Sequence, residues 1–171
     1  MKKKEKKGFD KGRILVGIES LRLLCEFEKD KIILPDIALQ MQATFDSRKF
    51  YLVNTCYIIP TDDKFLLGIL NSSLIQFLYS RISSSIRGGY LRFIRQYLEI
   101  LPIQTNKSLE TQIIHLVETM LQLQEEKQQT TLPHKLDQLN ARIEYTDEKI
   151  NNLVFELYGL DEEEIKIIGK E

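Results

Sequence analysis

The sequence is poor in cysteine and lacks long apolar runs. Cys25 and Cys56 are its two cysteines, they lie far apart, and no C-x-x-C pair occurs. This argues against a secreted disulfide scaffold and favours a reducing cytoplasm. No run approaches the roughly 18 apolar residues of a membrane helix, and no signal-peptide core follows the basic start. Apolar residues make up 43% and charged residues 29%, which predicts a globular protein that needs no metal or disulfide to fold.

The motifs of several enzyme classes are also missing. No G-x-x-x-x-G-K, G-x-G-x-x-G or G-x-S-x-G occurs, so nothing indicates a phosphate loop, a dinucleotide site or a hydrolase elbow. His115 and His134 have no neighbouring cysteine or matched histidine, which favours exposed or partly packed side chains over metal ligands. Two E-x-K elements, at 125–127 and 164–166, resemble nuclease sites, but they fall on predicted surface helices far from Pro35-Asp36. We therefore expect no catalytic residues, no metal and no cofactor.

The charge is unevenly distributed, although the whole chain has a net charge of −1. Residues 1–105 contain 17 Lys and Arg against 11 Asp and Glu, a net of +6, whereas residues 106–171 contain 7 against 14, a net of −7. The basic residues 1–105 can contact a polyanion, whereas the acidic residues 106–171 are expected to contact protein or solvent.

The first part of the chain mixes strand and helix patterns. Residues 1–12 are Lys-rich and predicted to be flexible, and residues 13–24 fit either a strand or a helix. The strands predicted beyond them are at 31–35 and 90–93, with a strand or strand pair at 49–60. A helix is predicted to follow the capping residues 61–63 and run to about Arg81, and it is followed by a turn at 83–89 and a helical turn at 94–100.

The last third has the period of two paired helices. Apolar residues alternate steps of three and four, with one polar interruption at Thr146. The seams are Leu109, Ile113, Leu116, Met120 and Leu123, then Leu136, Leu139, Ile143, Thr146, Ile150, Leu153 and Leu157. Ser108 is expected to cap the first helix and Gly159 to end the second, and Asp161 with Glu164 to start a short last helix.

These patterns predict an α+β fold, with a small mixed sheet and packed helices followed by an antiparallel C-terminal helical hairpin. The predicted organisation is a basic flexible N-terminus (1–12), an α+β domain (13–105) and the helical hairpin with its short terminal helix (106–171). The sequence shows no internal repeat that would favour a solenoid.

The densest polar cluster of the chain is 81–95, which has four arginines and no acid. Its candidates for contact with nucleic acid are Arg81, Ser84, Ser85, Arg87, Gly88, Gly89, Tyr90, Arg92 and Arg95. Arginine presents a planar fork that fits a phosphate or the O6 and N7 of guanine, and glycine lets a backbone approach a phosphate. The alternative is a solvated loop between a helix and a strand, with Tyr90 and Phe93 in the core.

Several segments together resemble one known family. They are 71–74 (Asn-Ser-Ser-Leu), 85–93 (Ser-Ile-Arg-Gly-Gly-Tyr-Leu-Arg-Phe) and 97–103, with strands at 31–36 and 50–57 and a closing helix within 143–168. They resemble the TaqI-like C-terminal specificity domain, the target-recognition part of many adenine-specific DNA methyltransferases and fused type II restriction-modification enzymes. The resemblance implies DNA contact by Arg87, Gly88, Gly89, Tyr90 and Arg92. It also implies an upstream catalytic domain, whose Asn-Pro-Pro motif does not occur here.

The resemblance makes DNA target recognition the leading hypothesis. The chain would be a non-catalytic specificity domain of a type II restriction-modification system, with 13–105 as the target-recognition domain. Its partners would be double-stranded DNA and an adenine-specific methyltransferase domain or subunit, in the cytoplasm and away from membranes. The alternative is a protein-interaction module whose helical hairpin docks on a methyltransferase or pairs with itself as a homodimer. A positive cleft favours the first hypothesis, and an exposed apolar hairpin face favours the second.

Overall fold

A computed structural model describes residues 25–169, so the predictions for 1–12 and 13–24 lie outside the described residues. The strands are β1 (Lys31–Pro35), β2 (Ile37–Ala38), β3 (Thr44–Asp46), β4 (Cys56–Ile59), β5 (Ser85–Ile86) and β6 (Tyr90–Arg92). After the helical residues 25–27, the helices are α1 (Lys64–Asn71), α2 (Ser73–Ile82), α3 (Arg95–Leu98), α4 (Lys107–Gln129), α5 (Pro133–Tyr158) and α6 (Glu162–Ile168).

The strands form two small antiparallel sheets. In the first sheet β1 lies between β3 and β4, and in the second β6 lies between β2 and β5. The chain passes from one sheet to the other at Asp36. Its N–H donates to the carbonyl of Thr55 (2.9 Å), and its carbonyl accepts from the N–H of Phe93 (2.8 Å). The α+β class is confirmed, and the strands divide between two sheets where the sequence predicted one small mixed sheet.

The strand predicted at 49–60 is mostly a loop. Its last residues, in β4, pair with β1, which is itself confirmed as a strand. The residues before β4 leave the sheet because the Asp46 carboxylate accepts the N–H groups of Arg48 (2.8 Å) and Phe50 (2.9 Å), which turns the chain. The large apolar side chains left exposed in this loop are Phe50, Tyr51 and Val53.

The single helix predicted to run to about Arg81 is interrupted at Ser72. This break separates α1 from α2, whose axes differ by 64°. The Ser72 hydroxyl donates to the carbonyl of Ile69 (2.7 Å) and accepts from the N–H of Ile75 (3.3 Å), so one side chain ends the first helix and caps the second. Asp63 caps α1, as the sequence predicts.

The neighbours of Ser72 attach this break to the rest of the fold. The Asn71 side-chain amide exchanges hydrogen bonds with the backbone of Ala43, at 2.8 and 3.0 Å. The N–H and the hydroxyl of Ser73 both donate to Oδ1 of Asn151 in α5, at 2.8 and 3.0 Å. Residues 71–73, which carry part of the family resemblance, therefore hold the helix break in place.

The helices α4 and α5 form the predicted hairpin, and every predicted seam residue is buried or half-buried. The expected cap of α4 is wrong. The helix begins one residue earlier, at Lys107, and Oδ1 of Asn106 accepts from the N–H groups of Ser108 (3.0 Å) and Leu109 (3.3 Å). Asn106 thus satisfies two of the free N–H groups at the start of α4.

The end of α5 and the start of α6 are as predicted, whereas α5 begins one residue earlier than predicted. Pro133 is the first residue of α5, a position where its missing N–H removes no helical hydrogen bond. Gly159 ends this helix with a φ of +68°. The N–H groups of Glu163 and Glu164 donate to the Asp161 carboxylate, and the Glu164 side chain accepts from the N–H of Asp161, which completes a capping box for α6.

One cluster of buried side chains joins both sheets, α1, α2 and the helical hairpin. Its members without exposed surface are Ile32, Leu34, Ile69, Ile75, Tyr79, Phe93, Ile113 and Val154. The helices α1 and α4 approach closely at Gly68, where a Cβ would lie 2.8 Å from Cγ2 of Val117 and 2.9 Å from Cγ2 of Ile113. The missing side chain therefore lets α1 cross α4 at short range.

The apolar character of α1 and α2 reflects their burial in this core. Phe65, Leu67, Leu70 and Leu74 are between 3% and 5% exposed. Within residues 25–169 no single helix is long and apolar enough to cross a membrane, and α1 with α2 reaches that length and composition only as a bent pair.

Candidate nucleic-acid interface

Residues 85–92 form a β-hairpin whose tip is built on two glycines. Ile86 pairs with Tyr90, and the N–H of Gly89 donates to the carbonyl of Ile86 (3.1 Å). The φ angle is +93° at Gly88 and +81° at Gly89, a region that strains residues with a side chain. A Cβ on Gly89 would meet nothing within 4 Å, so the backbone conformation requires this glycine and crowding does not.

One face of the second sheet points outward. Leu91 is buried, so its neighbours in β6, Tyr90 and Arg92, lie on the opposite, exposed face. Ile37 pairs with Arg92 and Ile86 pairs with Tyr90, which places these two side chains on the same face. We refer to Ile37, Ile86, Tyr90 and Arg92 as the β-hairpin face, and all four are exposed.

The core beneath this face fixes the backbone of Arg92. Tyr79 is fully buried, and its hydroxyl donates to the carbonyl of Arg92 (2.8 Å). Its ring stacks on that of Phe93, with 4.7 Å between the centroids, so Phe93 belongs to the core. Burial raises the pKa of Tyr79 to about 12, and the hydroxyl therefore stays protonated and remains a donor at neutral pH.

The β-hairpin lies in a region that matches a known family. A family model described as the TaqI-like C-terminal specificity domain matches residues 3–103, more than half of the 171 residues. This chain belongs to that family. The Type II methyltransferase M.PaeR7I of Pseudomonas aeruginosa is 25% identical over 144 residues, which cover 82% of this chain and 21% of that protein. The chain thus spans about a fifth of this relative, and both matches support a target-recognition role in restriction-modification.

This TaqI-like specificity domain exposes all nine of the site residues predicted from sequence. Arg81 lies in the last turn of α2, with its guanidinium 5.0 Å from the centroid of the Phe77 ring. Ser84 precedes the β-hairpin, and Arg95 begins α3. The β-hairpin itself holds Ser85, Arg87, Gly88, Gly89, Tyr90 and Arg92. All nine are thus accessible at the surface, although Leu91 and Phe93 between them are buried, and their contact with DNA stays a prediction.

Arg92 and Arg95 are paired with acids from outside 81–95. Nε of Arg95 lies 2.6 Å from Oε1 of Glu99, and Nε of Arg92 lies 3.7 Å from Oδ1 of Asp36. Arg87 has no ion-pair partner among residues 25–169. The arginine at the tip of the β-hairpin is therefore open to an anion from outside the chain.

Sequence reasoning missed two residues beside the β-hairpin face. The sequence patterns indicate Asp36 as the acid of a weak nuclease motif and as the end of a family-like strand, and Tyr57 as part of another such strand, but neither as part of the DNA-contact site. The Tyr57 hydroxyl donates to Oδ1 of Asp36 (3.3 Å), so both stand next to Arg92. Asp36 and Arg92 are far apart along the chain, and no local pattern connects them.

A groove on another side of the specificity domain has the wrong chemistry for a phosphate. It lies between residues 40–44, α1, α2 and the helical hairpin, with a volume of about 710 Å³. Its lining contains seven side-chain amides and the acids Glu144 and Asp147, but no Lys or Arg. Burial raises the pKa of Asp147.

The described residues hold no group of three or more potential metal ligands, and His115 and His134 are exposed.

Proposed function

We propose that this chain recognises a specific sequence of double-stranded DNA as the non-catalytic specificity part of a type II restriction-modification system. The supporting observation is the tip of the β-hairpin, where Arg87 is exposed, has no acidic partner among the described residues, and stands on a two-glycine turn. The partners of the chain are then DNA and an adenine-specific methyltransferase domain or subunit. It uses no cofactor of its own and works in the cytoplasm.

The chemistry of this tip suits a DNA groove. The major groove admits a two-stranded β-ribbon, and an arginine fork can bind a phosphate or the O6 and N7 of guanine there. Gly88 and Gly89 have no side chains, which lets their backbone approach a phosphate closely. Tyr90, at 43% exposure, and Arg92 extend the same surface away from the tip.

The distribution of charge supports the same orientation on DNA. Residues 1–105, which contain the β-hairpin, have a net charge of +6, whereas residues 106–171 have a net of −7. The acidic helical hairpin is repelled by a duplex, while the four arginines of 81–95, a segment with no acid, are attracted to it. We therefore place α4 and α5 away from the DNA.

The alternative, self-association through the helical hairpin, needs an apolar stripe open to a partner. The seam side chains Ile113 and Ile150 are instead 0% and 6% exposed, because they pack into the chain's own core. Neighbouring Val117 and Val154 are buried in the same cluster. These contacts favour DNA recognition over homodimer formation as the function of this chain.

An Arg87→Ala change tests the placement of the DNA face. Loss of a bidentate guanine contact should cost about 1–3 kcal/mol of binding free energy and relax one position of the target. Each phosphate contact releases counterions, so the slope of log affinity against log salt should be about −0.9 per contact. Fluorescence-anisotropy titrations over a salt series, with the chain joined to or mixed with its methyltransferase partner, measure both quantities.

Two further variants separate the alternatives. Lys135→Ala removes an exposed positive charge from α5 and should have little effect. Arg87→Lys keeps the charge but not the fork, so it should preserve the salt slope and lose base preference. The placement is wrong if Arg87→Ala and Arg92→Ala change neither affinity nor slope while Lys135→Ala abolishes binding.

The non-catalytic part of the proposal has its own test. Calorimetric titration of the chain with S-adenosylmethionine should give no saturable heat, and incubation with DNA and Mg²⁺ should give no cleavage. Either a saturable heat or cleavage by the purified chain would overturn this part of the proposal.

A further inference from the structure

Asp36 is held rigidly at the point where the chain crosses between the two sheets. Its N–H donates to the carbonyl of Thr55, and its carbonyl accepts from the N–H of Phe93, at 2.9 and 2.8 Å. Phe93 is fully buried, and Pro35 pairs with Cys56 immediately before the crossing. The backbone of Asp36 is thus tied to both sheets, and its carboxylate projects from a fixed base.

That carboxylate is shared between two side chains. Oδ1 of Asp36 lies 3.7 Å from Nε of Arg92 and accepts a hydrogen bond from the Tyr57 hydroxyl at 3.3 Å. The Asp36 side chain is 21% exposed, whereas that of Arg92 is 53% exposed. The ion pair uses Nε, and Nη1 and Nη2 of Arg92 have no hydrogen-bond acceptor within residues 25–169. The far end of the guanidinium is therefore available to another molecule.

A carboxylate at this place is unfavourable for DNA affinity, because it repels phosphates. It also orients its neighbour. A free arginine side chain loses rotamer entropy when it is ordered on a base, and an ion pair that orders it beforehand lowers that cost. The Tyr79 hydroxyl fixes the backbone of Arg92, and the Asp36 carboxylate attracts its Nε across 3.7 Å, which is beyond hydrogen-bond length. Asp36 thus lowers the affinity for DNA of any sequence, and it favours one orientation of the Arg92 guanidinium.

We propose that Asp36 is a positioning residue that determines base preference, by holding the fork of Arg92 so that Nη1 and Nη2 meet the edge of a guanine. Tyr57 supports it by fixing the carboxylate. This inference rests on the proposed function. It predicts that removal of Asp36 weakens discrimination between sequences while it strengthens binding to DNA in general.

The surface offers a matched control on the next helix. Glu99 also pairs with Nε of an arginine, Arg95, at 2.6 Å, but both side chains are exposed, at 57% and 85%, and neither is on the β-hairpin face. Removing Glu99 or Asp36 takes one negative charge from the same region. The two changes differ in the arginine that loses its partner. Asp36→Ala releases Arg92, which the inference places against a base, and Glu99→Ala releases Arg95.

The experiment begins with selection of duplexes that have a randomised central segment, using the full wild-type chain joined to or mixed with its methyltransferase partner at low salt. Dissociation constants are then measured for the selected duplex and for duplexes substituted at one base pair. The variants are Asp36→Ala, Arg92→Ala, their double variant, Tyr57→Phe and the control Glu99→Ala. Thermal melts show which variants keep the fold, and Tyr57→Phe loosens the carboxylate without changing any charge.

Arg92→Ala should lower the preference at one base pair by roughly 5- to 150-fold. Asp36→Ala should lower it at the same base pair by about two- to fivefold, the size of an exposed ion pair, and Tyr57→Phe by less. In the Arg92→Ala background, Asp36→Ala should leave the preference unchanged, because it acts through that arginine. Both Asp36→Ala and Glu99→Ala should tighten binding to unselected DNA.

The outcomes separate this inference from the proposed function. If the wild-type chain enriches no motif, the proposed function is wrong and the role of Asp36 is wrong with it. If a motif is enriched and Asp36→Ala keeps the full preference, or Glu99→Ala lowers it equally, only the role of Asp36 is overturned. An Asp36→Ala effect of equal size with and without Arg92 overturns it as well.

Discussion

Replacing Lys31 by Met should destabilise the fold by breaking its buried ion pair. Nζ of Lys31 lies 2.6 Å from Oδ2 of Asp46 and donates to the carbonyl of Phe27 at 2.8 Å. The two charged side chains are 0% and 3% exposed, so water cannot take over the lost interaction. Methionine keeps the length and the apolar stem of the lysine, and the change therefore isolates the ammonium group.

The expected cost is large because the remaining charge stays buried. Removal of one partner from a buried pair costs about 3–5 kcal/mol, against a total stability of about 5–15 kcal/mol. The Asp46 carboxylate keeps the N–H donors of Arg48 and Phe50, which places the expected loss near the lower end of that range. The control is Lys29→Met, which breaks the exposed pair with Glu26 and should cost about 0–1 kcal/mol.

The pH dependence has a defined sign. Burial tends to raise the pKa of Asp46, but the Lys31 ammonium and the backbone N–H groups of Arg48 and Phe50 outweigh it, so the pKa lies below its ordinary value. In the wild type this carboxylate contributes stability above the ordinary carboxyl pKa, and the contribution is lost as the pH falls through the lowered pKa. In Lys31→Met, protonation relieves a buried unpaired charge. The gap between the two proteins should therefore narrow as the pH falls.

Urea denaturation followed by circular dichroism measures this gap, at neutral pH and at about one unit below the ordinary carboxyl pKa. Other carboxylates titrate in both proteins and largely cancel in the difference. The reasoning is refuted if the gap at neutral pH is no larger than that of Lys29→Met, or if it widens as the pH falls.

Two predictions concern the core and the helical hairpin. Gly68→Ala should lower the free energy of unfolding by up to about 2 kcal/mol, because overpacking of about 1–3 kcal/mol against Val117 exceeds the roughly 1 kcal/mol that alanine adds to a helix. Combining it with Val117→Ala should relieve the contact, and strictly additive urea-denaturation results would contradict this. Leu139→Ala should cost about 2–5 kcal/mol, since Leu139 is 2% exposed. Exposed Ile167 is its control, and equal losses from Leu139→Ala and Ile167→Ala would count against a packed hairpin.

Much of the fold follows from signals that lie within a few residues. Asp63 caps α1, Asp161 with Glu164 forms a capping box, and the two seams pair as an antiparallel hairpin. The turn at Gly88 and Gly89 is equally local, because positive φ angles there require glycine. These elements were predictable because each depends on one side chain and backbone groups nearby, or on a repeat along one helix.

Contacts between distant residues decided the rest. Ser72 sits in an unbroken apolar pattern, and the anchors of its neighbours on Ala43 and Asn151 determine that the helix breaks there. The aromatic residues after Lys49 fit a strand by composition, but the Asp46 carboxylate takes the N–H groups that a strand would use for pairing.

The candidate site also combines local features that follow from the sequence with contacts that only the tertiary structure creates. The sequence by itself determined the exposed Arg87-Gly88-Gly89 tip, because a turn exposes whatever residues it contains. It left Tyr90 open between the surface and the core, and the structure exposes it. Only the tertiary structure brought Asp36 and Tyr57 to Arg92. The physical reason is that β2 pairs with β6 in one register, which sets Ile37 opposite Arg92 and leaves the preceding carboxylate at the side of the guanidinium.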